Sequence, residues 1–123
     1  MTKCILSLTF FTSLNLAAQK QFIYYFDGEL NPVQKEKAAI TGRGIKTEKG
    51  ITVNFSNNQT KKVFNISDYS DSTLSVLNGK NIDYYENGKV KRSETYNNNV
   101  LNGATIKWDS TGLLIDSIIY AND

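Results

Sequence analysis

The sequence predicts an all-β protein that is built from antiparallel β-hairpin repeats. The main observation is that residues 78–101 are repeated as residues 102–123, at an offset of 24 positions without a gap. A fixed period of this length is typical of repeat architectures, in which each unit buries its apolar side chains against its neighbours. The second observation is composition: asparagine, tyrosine, phenylalanine and threonine are frequent, and proline occurs once, at Pro32. These residue types favour strands and turns over helices.

The two repeats agree at the positions that shape a hairpin. The shared structural positions are glycines and aromatic residues: Gly79, Tyr84, Gly88, Tyr96, Gly103, Trp108, Gly112 and Tyr120. Each unit is therefore expected to contain a strand, a turn closed by a glycine, and a second strand.

The glycine shared by the two turns predicts the turn geometry. Asn87-Gly88 alone would favour a two-residue type I′ turn, which needs a positive φ at both central positions. The second copy has Thr111 in place of Asn87, and a β-branched residue tolerates a positive φ badly. We therefore expect a type I turn followed by a left-handed glycine and a β-bulge, at Gly88 and at Gly112.

This turn sets the strand register. It pairs Tyr84 with Val90, whereas a two-residue turn would pair Tyr85 with Val90. One face of the sheet is then expected to carry most of the apolar side chains of the repeats: Ile82, Tyr84, Val90, Tyr96, Ile106, Trp108, Leu114, Ile118 and Tyr120. The alternate residues are mostly polar, as in an antiparallel sheet with one buried face.

Residues 1–18 are predicted to be a secretory signal peptide. Lys3 supplies the basic start, a mostly apolar run extends from Cys4 to Leu16, and the small residues Ala17 and Ala18 precede a polar sequence. This three-part pattern is typical of export signals, and the run is too short for a mature membrane anchor. The alternative is a buried N-terminal helix or strand. Cleavage after Ala18 would leave residues 19–123 as a single β-repeat domain, located in the periplasm or cell envelope or secreted.

Residues 19–49 are expected to form a degenerate N-terminal portion of the repeat array. Residues 22–26 predict a strand, and Asp27-Gly28 predicts a turn in which Gly28 takes the place of Gly88. At most one short helix is expected, near residues 33–39 and just after Pro32.

Residues 50–77 are expected to be a worn repeat. Residues 51–55 and 61–66 predict a hairpin that lacks the shared glycine. The loop that follows contains Asp68 and Asp71, but it lacks the alternating oxygen ligands and the glycine of a calcium loop. We therefore expect no metal site there.

Composition excludes several classes of function. Lysine and arginine total 14 and acidic residues total 12, a net charge of +2 that is too weak for a nucleic-acid interface. There is no histidine, and the single cysteine, Cys4, lies in the predicted signal peptide. The carboxylates Asp83, Glu86 and Glu94 are most simply solvated or paired with basic residues across the sheet. We expect no catalytic residues, no metal, no cofactor and no nucleic-acid partner, and predict that the protein is not an enzyme.

The last strand of the second repeat differs from its twin because it is apolar on both faces. Terminal repeats are usually atypical, since they cap the array. Either the N-terminal segment covers this strand, or the strand is an exposed edge that pairs with another chain. The predicted interaction surface contains Leu113, Ile115 and Ile119, together with the aromatic residue Tyr85.

The repeated pattern is Asn-Gly-x-x-Ile-x-aromatic-x-x-x-Gly-x-Val/Leu, followed by a tyrosine and an asparagine-rich turn. It resembles the bacterial variant of the MORN repeat, as found in YwqK-type antitoxin proteins. The resemblance is specific over residues 78–123 and extends plausibly over 51–66. It implies stacked β-hairpins in an elongated, twisted sheet, export in many members, and no catalytic residues. The chain departs from the family pattern at Asp109, which stands where the first unit has Tyr85.

The function expected from these features is that of an exported, non-enzymatic module that binds a protein partner through its sheet. One alternative is a glycan- or membrane-surface-binding module, in which exposed tyrosines stack on sugars or lysines contact anionic lipid. The residues considered for that role are Tyr24, Tyr25, Tyr85, Lys61, Lys62, Lys89, Lys91 and Arg92. A further alternative is an intracellular antitoxin, which requires residues 1–18 to stay attached.

Overall fold

The computed structural model describes residues 20–121, which form one antiparallel sheet of nine strands. Strands β1 to β9 span Gln21–Phe26, Ile40–Thr47, Gly50–Asn57, Val63–Tyr69, Leu77–Tyr84, Val90–Asn97, Val100–Leu101, Gly103–Trp108 and Leu114–Tyr120. The strand order is β1-β2-β3-β4-β5-β6-β8-β9, and the short β7 pairs with β6. The prediction of an all-β protein built from antiparallel hairpins in a twisted sheet is confirmed. The predicted signal peptide, residues 1–18, lies outside the described residues.

The segment predicted to contain at most one short helix forms only a single 3-10 turn, Lys35–Lys37. This turn leads the chain around the end of β1, where the Ala39 amide donates to the Phe26 carbonyl at 2.9 Å. In the described part of the chain, no helix is long and apolar enough to span a membrane.

The two clear repeats contain the predicted turn. The Gly88 amide donates to the Tyr85 carbonyl, and the Tyr85 amide donates to the Lys89 carbonyl, both at 2.9 Å. Gly88 has a φ of +87° and Gly112 a φ of +100°, in the left-handed region that favours glycine. The predicted pairs Tyr84 with Val90 and Trp108 with Leu114 are present.

A second irregularity follows each turn, and it changes which residues share a face. The register shifts between Asp83 and Tyr84 and between Lys107 and Trp108, so that Lys91 and Ile115 are extra residues in their strands. Such a bulge moves every later side chain of the strand to the opposite face.

The predicted grouping of apolar residues on one face is therefore wrong for three of its members. Tyr96, Ile118 and Tyr120 follow the bulges, and they lie on the face opposite Tyr84 and Trp108. The residues that do share one face of the repeats are Ile82, Tyr84, Val90, Ile106, Trp108 and Leu114, joined by Ile119. We call this the outer face, and we call the other the core face.

The core face takes its name from a cluster of buried apolar residues in β2 and β3. Its members are Ile40, Ile51, Val53 and Phe55, and aromatic residues of β1 and β4 pack against them. The ring centroids of Phe26 and Phe55 lie 5.9 Å apart, and those of Phe55 and Phe64 lie 6.5 Å apart. A Cβ atom at Gly44 would meet Ile51 Cδ1 at 2.7 Å, so glycine in β2 permits this packing. The apolar core therefore belongs to the N-terminal half of the sheet.

The N-terminal portion contains a third copy of the repeat turn. The Leu30 amide donates to the Asp27 carbonyl at 3.1 Å, the Asp27 amide donates to the Asn31 carbonyl at 2.9 Å, and Phe26 faces Pro32. These bonds match those of the turns at Gly88 and Gly112. Leu30, with a φ of +66°, takes the place of the glycine, so the alignment of Gly28 with Gly88 is wrong by two residues.

The worn repeat closes with a longer turn. Strands β3 and β4 form a hairpin in which the Lys61 amide donates to the Asn57 carbonyl at 2.8 Å. Lys61 has a φ of +64°, so a lysine holds the left-handed conformation where the clear repeats have glycine.

Candidate functional site

The last strand, β9, is a free edge of the sheet. It pairs with β8, and none of the described residues lies on its other side. All seven of its residues are exposed. Exposure of the large apolar side chains at this edge ranges from 39% for Tyr120 to 79% for Ile119, and the set is Leu113, Leu114, Ile115, Ile118, Ile119 and Tyr120.

Strand β6, the equivalent of β9 in the first repeat, has a neighbouring strand on each side and serves as the comparison for the exposure of β9. It occupies the same position in the first repeat but lies between β5 and β8. Its exposed residues are polar, namely Lys91, Thr95 and Asn97, whereas Glu94 is buried. The exposure of β9 therefore follows from the missing neighbour and from its apolar sequence.

The backbone groups of β9 follow the alternation of antiparallel ladders. The Asp109 amide donates to the Leu113 carbonyl at 2.9 Å, which fixes the phase of the hydrogen bonds. After the bulge, Ser117 and Ile119 direct their backbone N–H and C=O groups away from β8. The repeat supports this assignment, because Ser93, the twin of Ser117, pairs with Ile106 of the next hairpin.

Apart from the bulge at Ile115, strand β9 has few of the features that protect natural edges. It contains no proline or lysine, and its only charged residue is Asp116. Native proteins usually protect exposed edges with such residues, with bulges or with a covering segment. Beyond its bulge at Ile115, β9 is therefore a ready template for another strand.

The opposite edge of the sheet is partly closed. The segment 31–33 lies against the outer side of β1, where the Val33 amide donates to the Tyr25 carbonyl at 3.1 Å. Pro32, which has no N–H to offer, faces Phe26 in this segment. Of the two interpretations given for the last strand, the described residues fit the exposed edge, because the N-terminal strand β1 lies at the far end of the sheet.

The predicted interaction residues divide between the two faces. Tyr85 and Ile115 both line a cleft of about 270 Å³ that contains the side chains Asp83, Lys91, Arg92, Lys107 and Trp108. Ile119 lies on the outer face, and Leu113 lies in the turn before β9. The structure thus brings Tyr85 and Ile115 together and leaves Leu113 and Ile119 apart from them.

Tyr85 is engaged by its own chain. Its hydroxyl donates to the Trp108 carbonyl at 2.7 Å, which ties the first repeat to the second. The Lys91 ammonium lies 5.6 Å from the centroid of its ring. The hydroxyl and one face of the ring are therefore occupied within the protein.

A ladder of polar side chains crosses the core face beside the apolar core, and of its contacts only the pairing of carboxylates with basic residues was expected from the sequence. Asn81 is at its centre: its amide oxygen accepts from Asn65 at 2.9 Å and from Ser67 at 2.5 Å, and its amide nitrogen donates to Glu94 at 3.1 Å. Arg92 adds an ion pair with Asp83 at 2.8 Å. The signal was present in the sequence as polar residues two apart in three successive strands: Asn65 and Ser67, Asn81 and Asp83, Arg92 and Glu94.

The ladder is well satisfied and partly buried. Ser67 and Glu94 are buried, and Arg92 contacts Glu94 at 3.5 Å in addition to Asp83. Burial and the adjacent Glu94 carboxylate raise the pKa of Tyr96. The Thr105 hydroxyl, also buried, has no hydrogen-bond partner among the described residues.

Within residues 20–121, no three histidine, cysteine or acidic side chains are grouped closely enough to hold a metal ion.

Comparison of the chain with protein-family models, with curated proteins and with solved structures finds no match.

Proposed function

We propose that this chain is an exported, non-enzymatic repeat protein of the MORN-variant type, and that it binds a protein partner by adding a strand to β9. Strand addition supplies affinity through main-chain hydrogen bonds and specificity through alternate side chains. Both are offered by β9, with its outward backbone groups at Ser117 and Ile119 and apolar side chains on both faces.

The observation that carries this proposal is the contrast between β6 and β9. The large apolar side chains from Leu113 to Tyr120 are 39–79% exposed, and they lie on both faces of a strand with one described neighbour. Covering about 300 Å² of this surface would contribute roughly 7 kcal/mol before the costs of association are subtracted. Burial of this surface in an interface therefore lowers the free energy relative to leaving the strand in water.

The test is site-specific photo-crosslinking in the native host. A photoreactive residue at position 119, on β9, is expected to give a reproducible adduct with one protein, either a second copy of this chain or a different protein, identified by mass spectrometry. The matched control is the same residue at position 59, an exposed turn position between β3 and β4. Absence of an adduct at 119, or the same adducts at both positions, would contradict the proposal.

Export is tested by N-terminal sequencing of the natural protein. A mature chain that begins near Gln19 supports cleavage after Ala18 and a place in the periplasm, the cell envelope or the medium. A chain that retains residues 1–18 would instead favour the alternative of an intracellular antitoxin.

A glycan- or membrane-surface-binding module is the second candidate, and the cleft beside Tyr85 is the observation that favours it. The cleft combines aromatic residues with Lys91, Arg92 and Lys107. If this candidate is right, Tyr85→Ala and Lys91→Ala variants lose retention on glycan columns or anionic vesicles and stay folded. We rank it second because Tyr85 already contacts Trp108 and Lys91.

A further inference from the structure

We propose that the strand added to β9 is β9 of a second copy of this chain, paired antiparallel about a two-fold axis at Ile118. This inference rests on the proposed function, in which β9 accepts a strand, and it names the partner. Three features of the described residues support it: the outward backbone groups, the distribution of charge along β9, and the inequality of the two sheet edges.

The backbone groups select the register. Beyond the bulge at Ile115, Ser117 and Ile119 are the residues of β9 that direct both N–H and C=O away from β8. With the axis at Ile118, Ser117 of each copy lies opposite Ile119 of the other. Each of these two residue pairs forms two hydrogen bonds, as in a regular antiparallel ladder. The outward donors and acceptors of Ser117 and Ile119 in both copies are then satisfied.

The side chains agree with this register. A two-fold axis perpendicular to the sheet keeps the outer faces of both copies on the same side, so Ser117 and Ile119 meet on that face. On the core face, Ile118 lies beside Ile118 of the partner subunit. Asp116, the only charged residue of β9, lies opposite the partner subunit's Tyr120. The two Asp116 carboxylates are thereby kept apart, and no like charges are directly opposed.

The inequality of the edges favours a closed pair over an open chain of molecules. A head-to-tail assembly would need β1 as the second edge, but the segment 31–33 covers the C-terminal end of β1, at Tyr25 and Phe26, and places Pro32 there. A symmetric contact uses the same strand twice and closes at two copies. The paired region brings together the exposed apolar side chains of both copies, with Ile118 at 42%, Ile119 at 79% and Tyr120 at 39% exposure.

The first test is disulfide trapping in the full chain. In the variant Cys4→Ser with Ile118→Cys, the two introduced thiols face each other in a non-hydrogen-bonded pair, within reach of a disulfide. Mild oxidation is expected to convert most of the chain to a covalent dimer. The matched controls, in the same Cys4→Ser background, are Leu113→Cys at an exposed turn position and Ile23→Cys on the opposite edge. Dimer formation at position 118 no faster than at both controls would overturn the proposal.

The second test is sedimentation equilibrium of the full chain and its lysine variants. Ile119→Lys places a charge in the paired region and is expected to raise the dimer dissociation constant at least tenfold. Leu113→Lys makes the same chemical change at a similarly exposed position outside the pair, and is expected to leave the constant unchanged. Circular dichroism checks that both variants keep their strand content. A monomer at micromolar concentrations, or equal effects of the two variants, would overturn the proposal.

The two proposals fail in different ways. A monomeric chain whose position 119 still crosslinks to another protein overturns the second copy as partner and leaves the proposed function standing. A dimer whose position 119 crosslinks only to its own kind supports the second copy and contradicts a different protein as the occupant of this edge. A monomer without adducts contradicts both.

Discussion

Leu30 holds a backbone conformation that the clear repeats assign to glycine. Its φ is +66°, and its side chain is 55% exposed, so little packing compensates for the strain. Left-handed backbone costs an L-residue about 1–2 kcal/mol, and glycine loses about 0.5–1 kcal/mol in entropy. Leu30→Gly is therefore expected to raise the free energy of unfolding by about 0.5–1 kcal/mol, measured by urea denaturation.

Two variants serve as controls for this prediction. Gly28→Ala changes a glycine that has no other atom within 4 Å of an added Cβ and no positive φ, and it is expected to have little effect. Gly112→Ala is the reverse substitution at the equivalent position of the last repeat, where φ is +100°, and is expected to cost about 1–2 kcal/mol. A loss of stability in Leu30→Gly would show that the leucine contributes packing that outweighs its strain.

Asp109 is the residue whose ionisation couples the last turn to pH. The Thr111 hydroxyl, followed by the Leu113 amide, donates to its carboxylate and lowers the pKa of Asp109. A carboxyl whose folded pKa is lowered stabilises the fold above its unfolded pKa, and this contribution is lost as the pH falls through the folded value. In urea titrations from pH 5 to pH 2, Asp109→Asn is expected to lose less stability than the parent chain. An equal loss in both would contradict the role assigned to these hydrogen bonds.

At the scale of the element, the polar ladder replaces apolar packing where the core ends. Asn81→Ala removes one acceptor of Asn65, one acceptor of Ser67 and one donor to the buried Glu94, each of which keeps another partner. Each lost hydrogen bond costs about 0.5–1.5 kcal/mol. The variant is expected to lose about 2 kcal/mol of unfolding free energy in urea denaturation. Lys80→Ala, at the exposed neighbouring position, is the control and is expected to change it by less than about 0.5 kcal/mol.

The hairpins show how far the sequence could be interpreted. The glycine shared by two turns was enough to predict the turn and the pairs of Tyr84 with Val90 and Trp108 with Leu114, because a β-branched Thr111 excludes the alternative turn. The bulges at Lys91 and Ile115 could not be predicted, because neither residue type marks a bulge. Because the extra residue in each strand was not predicted, Tyr96, Ile118 and Tyr120 were assigned to the wrong face.

Other features were hidden for different reasons. The first turn was misaligned because Asp27-Gly28 has the composition of a turn, while the residue in the left-handed position is a leucine. The ladder was predicted only in part: Asp83 and Glu94 were expected to be solvated or paired with basic residues across the sheet, and Arg92 does pair with them. The contribution of Asn65, Ser67 and Asn81 was not predicted, because their hydrogen bonds depend on which strands are neighbours. The exposure of β9 depends on which strands neighbour it, which is a property of the whole sheet.

At the scale of the whole molecule, the apolar core is far from the free edge. Its buried residues, from Ile40 to Phe55, lie in β2 and β3, and repeat units contact only their neighbours. A chain that ends at Leu101 is therefore expected to stay folded, with β6 and the short β7 at its new edge, as judged by circular dichroism and NMR dispersion. Unfolding of this shortened chain would show that β8 and β9 are needed for the whole sheet.

The same arrangement predicts a gradient of local stability along the sheet. Amide hydrogen exchange is expected to be slowest around Val53, which is fully buried, and fastest around Ile118 in β9. Uniform protection from β2 to β9 would indicate a single cooperative unit. In a dimeric sample, the outward amides of Ser117 and Ile119 should gain protection as the concentration rises.

Because the hydrogen bonds of each turn lie within one repeat unit, a duplicated unit could be added to the sheet without changing the other turns. Each 24-residue unit carries its own turn bonds and its own bulge, and it adds two long strands, which widen a sheet by about 10 Å. Duplication of residues 78–101 would thus lengthen the molecule in fixed steps while the original core and the terminal strand stay unchanged. Each added copy would move the free edge outward by the same step.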